Sequence, residues 1–299
     1  MSKEKIGFVG LGMMGLPMSR NLVEDGYSVT VFDLDAETVA KAVDFGATAK
    51  SSAADVASDS DIVITMVPDS PHVEAAITGD GGIVEGIRAG SVVIDMSTIS
   101  PETGKKMANA LAAKDVEFID APVTGGVIGA EAGSLSILVG GNAGAFERAL
   151  PVLNVLGGNV AHLGPTGSGH IAKIANQILG ATALIGIAEA LVLAKKSGLD
   201  LEAFLQAASK GAGQSWHLDT LGPKILAGDF DPGFMVKHIQ KDLRLAEETG
   251  AQTGTALPAT NLVAQMYRAL QAEGPDAQSQ GHQALVQVIE KLSNAEARS

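Results

Sequence analysis

The chain has 299 residues, 46% of them apolar and 18% charged, enough for one large or two moderate domains and too apolar for extended disorder. Its 21 basic and 34 acidic residues leave a formal charge of −13, which argues against nucleic acid or an anionic membrane as partner. The absence of cysteine excludes disulfides, cysteine-ligated zinc, iron–sulfur clusters and thiol catalysis, and six histidines without HxxH or HExxH spacing offer no metal site.

The N-terminus, Met1-Ser2-Lys3-Glu4-Lys5, leads into a glycine-interrupted strand without a signal-like apolar region. The longest apolar stretch, Ile178 to Ala188, is too short to span a bilayer. A soluble, cytoplasmic protein is expected. Residues 5–163 alternate short β-rich runs with helical patterns: strands at Lys5–Gly10, Ser28–Asp33, Asp61–Val67, Ser91–Asp95, Val116–Asp120 and Ser134–Val139, and helices near 13–25 and 36–45. This order implies a Rossmann-type, doubly wound and mostly parallel sheet covered by helices on both faces. The runs Ile62-Val63-Ile64 and Val92-Val93-Ile94 suit strands buried on both sides.

From residue 164 the pattern turns helical, over 169–197, 200–209, 215–227, 235–250, 257–273 and 278–293, with Asn294–Ser299 expected to fray. Two domains are therefore expected: a nucleotide-binding domain over 1–163 and a helical substrate and oligomerisation domain over 164–299. A long helix joins them, and a cleft at such a junction is a preferred ligand site.

Gly10-Leu11-Gly12-Met13-Met14-Gly15 is a Gly-x-Gly-x-x-Gly motif that follows a predicted strand and opens a predicted helix. Gly10 permits a tight turn, Gly12 lets a pyrophosphate approach the backbone, and Gly15 lets helix and strand pack closely. Asp33, eighteen residues beyond Gly15, ends the second strand where a carboxylate can receive an adenosine ribose. Its charge would repel a 2′-phosphate, and Leu34 and Asp35 supply no arginine, so NAD is favoured over NADP. Val67 and Pro68 end another buried strand beside the same crevice. Thr98, past a fourth strand, suits either a ribose contact or a helix cap.

No Tyr-x-x-x-Lys motif exists, since Tyr27 and Tyr267 are the only tyrosines. Lys173 is then the best candidate for proton transfer, because a partly desolvated lysine can exchange protons near neutrality. Asn176 follows one turn later on the same predicted face. In isolation the pair would pass for a surface lysine and a solvated asparagine. Thr124, Gly125 and Gly126 form either a plain loop or a cradle for a carboxylate. Lys241 lies in the charged helix from His238 to Ala246, which could equally be a solvated face; Trp216 suits either a core or a pocket wall.

Four separated segments occur together in the order of one family: Gly10-x-Gly12-x-x-Gly15 with Met18-x-x-Asn21-Leu22, Asp120-Ala121-Pro122-Val123-Thr124-Gly125-Gly126, Gly164-x-x-Gly167-x-Gly169-x-x-x-Lys173-x-x-Asn176, and Lys241-Asp242-Leu243. The chain thus resembles the β-hydroxyacid dehydrogenases, which include 3-hydroxyisobutyrate dehydrogenase, tartronate semialdehyde (2-hydroxy-3-oxopropionate) reductase and glyoxylate/succinic semialdehyde reductase. The resemblance implies an NAD(P)-dependent oxidoreductase that interconverts a short 3-hydroxy acid and its semialdehyde. It implies Lys173 as catalytic acid/base, and Thr124, Gly125, Gly126 and Asn176 as contacts for a small carboxylate-bearing substrate. It further implies Lys241 closing over the cofactor, Thr98 at the nicotinamide ribose, and a homodimer or homotetramer. The family usually carries Ser where this chain has Thr124, so the hydroxyl is kept while the added methyl narrows the pocket. A nucleotide-sensing interaction protein without turnover is the alternative.

Overall fold

A computed structural model describes residues 3–298; Met1, Ser2 and Ser299, on which parts of the terminal expectations fall, lie outside the described residues. The chain divides into two compact units, Met1–Lys173 and Ile174–Ser299.

Among the described residues the first unit is built on nine strands: β1 (Ile6–Val9), β2 (Val29–Phe32), β3 (Thr48–Ala49), β4 (Ile62–Thr65), β5 (Val92–Asp95), β6 (Glu117–Asp120), β7 (Val123–Thr124), β8 (Leu135–Gly141) and β9 (Gly157–Gly164). Their order is β3-β2-β1-β4-β5-β6-β8-β7, with β9 also paired to β8. Strands β1 to β6 are mutually parallel, as the apolar runs predict, while β8 turns antiparallel to β6 and β7. The alternating side chains of the central strands feed two cores. Ile6, Phe8, Ile62, Ile64 and Ile94 face one layer of helices, and Val9, Val63, Val93 and Phe118 face the other. Sequence periodicity passes over β9, because Gly157-Gly158-Asn159 offers no apolar alternation; its pairing with β8 makes it a strand.

Register lines up one row of residues along the carboxyl edge: Val9, Thr65, Asp95, Asp120, Gly140 and Gly164. The row is apolar at β1, polar from β4 to β6, and glycine at β8 and β9. The helix Ser168–Lys196 starts over its glycine end. A Cβ on Gly140 would come within 2.8 Å of the amide nitrogens of Ser168 and Gly169, and one on Gly169 within 2.3 Å of the Leu138 carbonyl oxygen. These close backbone approaches explain why the first turn of the long helix belongs to the sheet unit, past the predicted boundary at Gly164.

The second unit contains the rest of that helix with Leu201–Ala208, Trp216–Ala227, Val236–Thr253, Pro258–Gln271 and Val286–Ser293. The long helix is long and apolar enough to cross a membrane by length and composition. Its Ala181, Leu184, Ala188, Leu191 and Val192 instead form the centre of this unit's core. The single helix expected over 278–293 is divided. Short 3-10 turns at Pro275–Ser279 and His282–Leu285 precede the α-helix, because Gly281 bridges to Met235 and its N–H donates to the Phe230 carbonyl. Over its described residues, to Arg298, the tail does not fray: Ala297 is buried and donates its N–H to Glu290 Oε1 at 2.7 Å, while Arg298 Nη2 lies 2.9 Å from Glu290 Oε2.

A histidine–aromatic cluster also lies in this unit. The His282 ring meets His217 and Phe234 edge-on, and its Nδ1 is 3.2 Å from the Phe234 carbonyl oxygen. Burial, with His217 beside it, pushes the His282 imidazole down to about 4. An imidazole with a lowered folded value favours the unfolded chain once protons are available. Its stabilising contribution is therefore complete above pH ~6.5 and is lost as pH falls toward 4. Between pH 7.5 and 5.0 the loss should be about 2 kcal/mol. Denaturant titrations should show this loss in the wild type and a correspondingly flatter pH dependence in His282→Asn. Equal slopes would exclude His282 as its source.

Candidate active site

The glycine turn has the three properties that a dinucleotide requires. Gly10 has φ +96°, and a Cβ there would strike the Met66 carbonyl oxygen at 2.4 Å, so the turns after β1 and β4 are in contact. A Cβ on Gly15 would lie within van der Waals overlap of the Gly10 carbonyl oxygen, which fixes helix Gly15–Glu24 against the turn. A Cβ on Gly12 would meet no protein atom within 4 Å. That open side, at a helix whose N-cap residue, Met14, makes no side-chain capping bond, fits a diphosphate. Met13 and Met14 keep part of their surface, whereas the Leu11 side chain is in the core and can serve a ligand only through its backbone.

Asp33 is half-buried and accepts the Leu11 N–H at Oδ2 (2.5 Å) and the Asp35 N–H at Oδ1 (2.8 Å). It thereby ties the end of β2 to the glycine turn. Each carboxylate oxygen retains a lone pair for a ribose hydroxyl. The helix cap at this strand end is Asp35, which accepts the Glu37 N–H. Thr98 is likewise not the next helix's cap: Ser100 holds that place through the Thr103 N–H. Val67 donates its N–H to Ser97 Oγ at 2.9 Å, joining the turns after β4 and β5.

Asp120 governs the start of the long helix. Fully buried at the end of β6, it accepts the Gly167 N–H at Oδ1 (2.8 Å) and the His170 N–H at Oδ2 (2.9 Å). A carboxylate at a helix N-terminus satisfies donors that have no partner within the helix and complements its dipole. One turn further on is Lys173, only 7% exposed. That burial removes the surface-lysine reading. Thr124 lies on β7, paired with Ser136, and Gly125 and Gly126 follow with φ of +132° and +62°. The two left-handed glycines turn the chain into helix Gly126–Glu131, and a Cβ on Gly126 would meet open space.

In the second unit Asn176 is half-buried, and its amide donates to Gln177 Oε1 at 3.3 Å. Gln177 in turn donates to Asp242 Oδ2 at 2.5 Å, and Lys241 Nζ pairs with Asp242 Oδ1 at 2.9 Å. Lys241 is thus part of a largely buried polar chain and not a solvated helix face. Trp216 is 56% exposed with its edge against His217, which excludes a core role. Among the described residues no group of three or more histidine or acidic side chains could hold a metal ion.

Comparison with known proteins finds matches over most of the chain. Residues 5–164 match the family described as the NAD-binding domain of 6-phosphogluconate dehydrogenase, and residues 167–289 match that of NADP-dependent 3-hydroxyisobutyrate dehydrogenase. The chain is 42% identical to 2-(hydroxymethyl)glutarate dehydrogenase of Eubacterium barkeri, covering 90% of each protein. It is 37% identical to 2-hydroxy-3-oxopropionate reductase of Escherichia coli, over 97% of this chain and 98% of the relative. The structure of Mycobacterium tuberculosis 3-hydroxyisobutyrate dehydrogenase with L-serine superimposes with a TM-score of 0.89 at 33% identity, over 96% of this chain and 99% of that one. The chain belongs to the β-hydroxyacid dehydrogenase family.

It is accordingly an NAD(P)-dependent oxidoreductase. In this β-hydroxyacid dehydrogenase two buried side chains meet at the polar strand ends without any signal in the sequence: Asp95, which the sequence marks only as a strand end, and His170, only a spacer in the Lys173 motif. Gln177 escaped for the same reason, since its role comes from Asp242, distant in sequence.

The glycine geometry separates fold from ligand. Gly12→Ala should melt within about 1 °C of the wild type yet lose at least tenfold in NAD(H) affinity, because its methyl would fill space that no protein atom uses. Gly15→Ala should lose both stability and binding. NADH fluorescence titration and thermal melting read the two effects; undiminished NADH binding by Gly12→Ala would refute the cradle.

Proposed function

We propose that this protein oxidises the hydroxymethyl group of a 2-substituted 3-hydroxypropionate to the semialdehyde, and reduces the semialdehyde in reverse. The chemistry shared by the relatives supports this class. Hydroxyisobutyrate, serine, 2-(hydroxymethyl)glutarate and the reduced form of 2-hydroxy-3-oxopropionate all place a primary hydroxyl β to a carboxylate. The observation that carries the reading is Lys173, a buried lysine on a helix whose start is fixed by Asp120.

When bound, NAD(P) takes up or returns a hydride. Lys173 takes the hydroxyl proton in the oxidative direction and donates it to the developing alkoxide in reduction. The lysine must be neutral for one direction and charged for the other, so the optimum for oxidation lies at higher pH. Thr124 with the N–H groups of Gly125 and Gly126 holds the substrate carboxylate, and Asn176 orients it. Gly10, Gly12, Met13, Met14 and Gly15 hold the diphosphate through the backbone. Val67, Pro68 and Thr98 line the nicotinamide side, and Lys241 closes over the cofactor. Asp33 receives the adenosine ribose and favours NAD over NADP.

Residues from 164 onward form a substrate and oligomerisation domain in this reading. Ala175, Leu179, Gly186 and Leu193 lie exposed along the long helix, a small and apolar face suited to a second copy in a homodimer or homotetramer. The protein acts in the cytoplasm.

Steady-state assays with L-serine, D-glycerate, 3-hydroxyisobutyrate and 2-(hydroxymethyl)glutarate, each with NAD and NADP, test the class; no turnover with any would return the reading to a nucleotide sensor. Lys173→Ala should reduce kcat by about 10²–10⁴-fold. Asp33→Ala should weaken NAD(H) far more than NADP(H), and equal losses would contradict the ribose role.

A further inference from the structure

Two titratable side chains that the proposed chemistry does not use are wholly buried: Asp95 at the end of β5, and His170 one helical turn before Lys173. His170 Nε2 stands 3.5 Å from Asp95 Oδ2, with both side chains sealed from solvent. Among the described residues neither ring nitrogen of His170, nor that carboxylate oxygen, has a hydrogen-bond partner. A buried polar pair left to each other is costly, and such a pair calls for an explanation. Burial pushes the Asp95 carboxyl up, opposed by His170, Thr65 and Ser97.

The surroundings of the pair indicate its use. Asp95 Oδ1 accepts the Thr65 hydroxyl at 2.7 Å and the Ser97 N–H at 3.3 Å, so it fixes the turn that carries Thr98. Asp120, its register partner on β6, accepts the His170 N–H. His170 is therefore constrained twice: by the hydrogen bond from its backbone N–H to Asp120, and by the enclosure of its ring, which is sealed from solvent 3.5 Å from Asp95. A grip on a side chain resists rotation of the helix about its own axis, which backbone capping alone does not. Lys173, three residues later, moves with any such rotation.

We propose that His170, held by Asp95, is a positioning residue that fixes the rotation of the long helix and thereby aligns the Lys173 amine with the hydroxyl proton. The inference rests on the proposed role of Lys173. Misplacing an acid/base group by about 1 Å costs up to 10²-fold in rate.

His170→Ala, measured with NAD and the most active of the four hydroxy acids, should lower kcat by about 10- to 100-fold. The dissociation constant for NADH should stay within about twofold, because His170 is not part of the cofactor cradle. The deuterium isotope effect with substrate labelled at the hydroxymethyl carbon should rise as hydride transfer becomes limiting. His170→Gln, which keeps a donor at similar reach, should recover most of the rate. Gly104→Ala gives an independent test in a chain that keeps His170. Its Cβ would lie 2.8 Å from His170 Cδ2 and 3.0 Å from Nε2, so the ring must shift from its place beside Asp95, while alanine suits helix Pro101–Ala112, which carries residue 104, better than glycine. It should lower kcat in the same direction, and it decides the matter if His170→Ala does not fold. Turnover within twofold of wild type in the folded variants would overturn the proposal. A loss shared by kcat, NADH affinity and melting temperature, without rescue by Gln, would also overturn it. Lys173→Ala is run alongside. If it keeps full activity the parent reading fails, whereas a dead Lys173→Ala with active His170 variants sinks only the positioning role.

Discussion

The buried carboxylate of Asp120 is the interaction on which the rest of the arrangement depends. It takes the N–H of Gly167, just before the long helix, and that of His170 in its first turn, neither of which has a partner within the helix. Hydrogen bonds to a charged acceptor are worth about 1.5–3 kcal/mol each, and leaving the donors buried and unpaired would cost a similar amount. The glycines at 140 and 169 allow the approach, because a Cβ at either would collide with backbone across the contact. Lys173 is thus placed by strand register: Asp120 sits in one row with Thr65 and Asp95, and that row is where the sheet changes from apolar to polar.

The same row links the two sides of the site within the first unit. Asp95 reaches Thr65 and Ser97 on one flank and His170 on the other, and Ser97 takes the Val67 N–H. The turns after β4 and β5, on which Val67 and Thr98 lie, and the helix that carries Lys173 are therefore parts of one buried polar network. Such networks are costly when broken and rigid when intact. Rigidity is what an acid/base group needs, since proton transfer is sensitive to small displacements.

Much of this was legible in the sequence where a local pattern maps onto a local structure. The apolar runs of β4 and β5, the glycine triplet in its strand-turn-helix setting and the all-helical second half appear where periodicity places them. Lys173 stands out because no Tyr-x-x-x-Lys motif competes with it and because it lies in the motif Gly164-x-x-Gly167-x-Gly169-x-x-x-Lys173. Features created by pairing distant segments were not legible. Strand β9 has no apolar alternation, and the helix expected over 278–293 is interrupted because Gly281 pairs with residues at 230 and 235. The tail is held by Glu290. His170 and Asp95 look ordinary in sequence, 75 residues apart, and become a pair only when β5 and the long helix meet. Gln177 depends in the same way on Asp242.

In the proposed reaction the Lys173 amine carries the proton. Chemical rescue tests it most directly: Lys173→Ala is assayed in single turnovers with a series of small primary amines of graded pKa. If that amine is the acid/base, added amines restore hydride transfer, with a rate that rises with amine concentration and varies regularly with amine basicity. An inactive but folded and NADH-binding variant that no amine rescues, or a Lys173→Ala variant that needs no rescue, would contradict it.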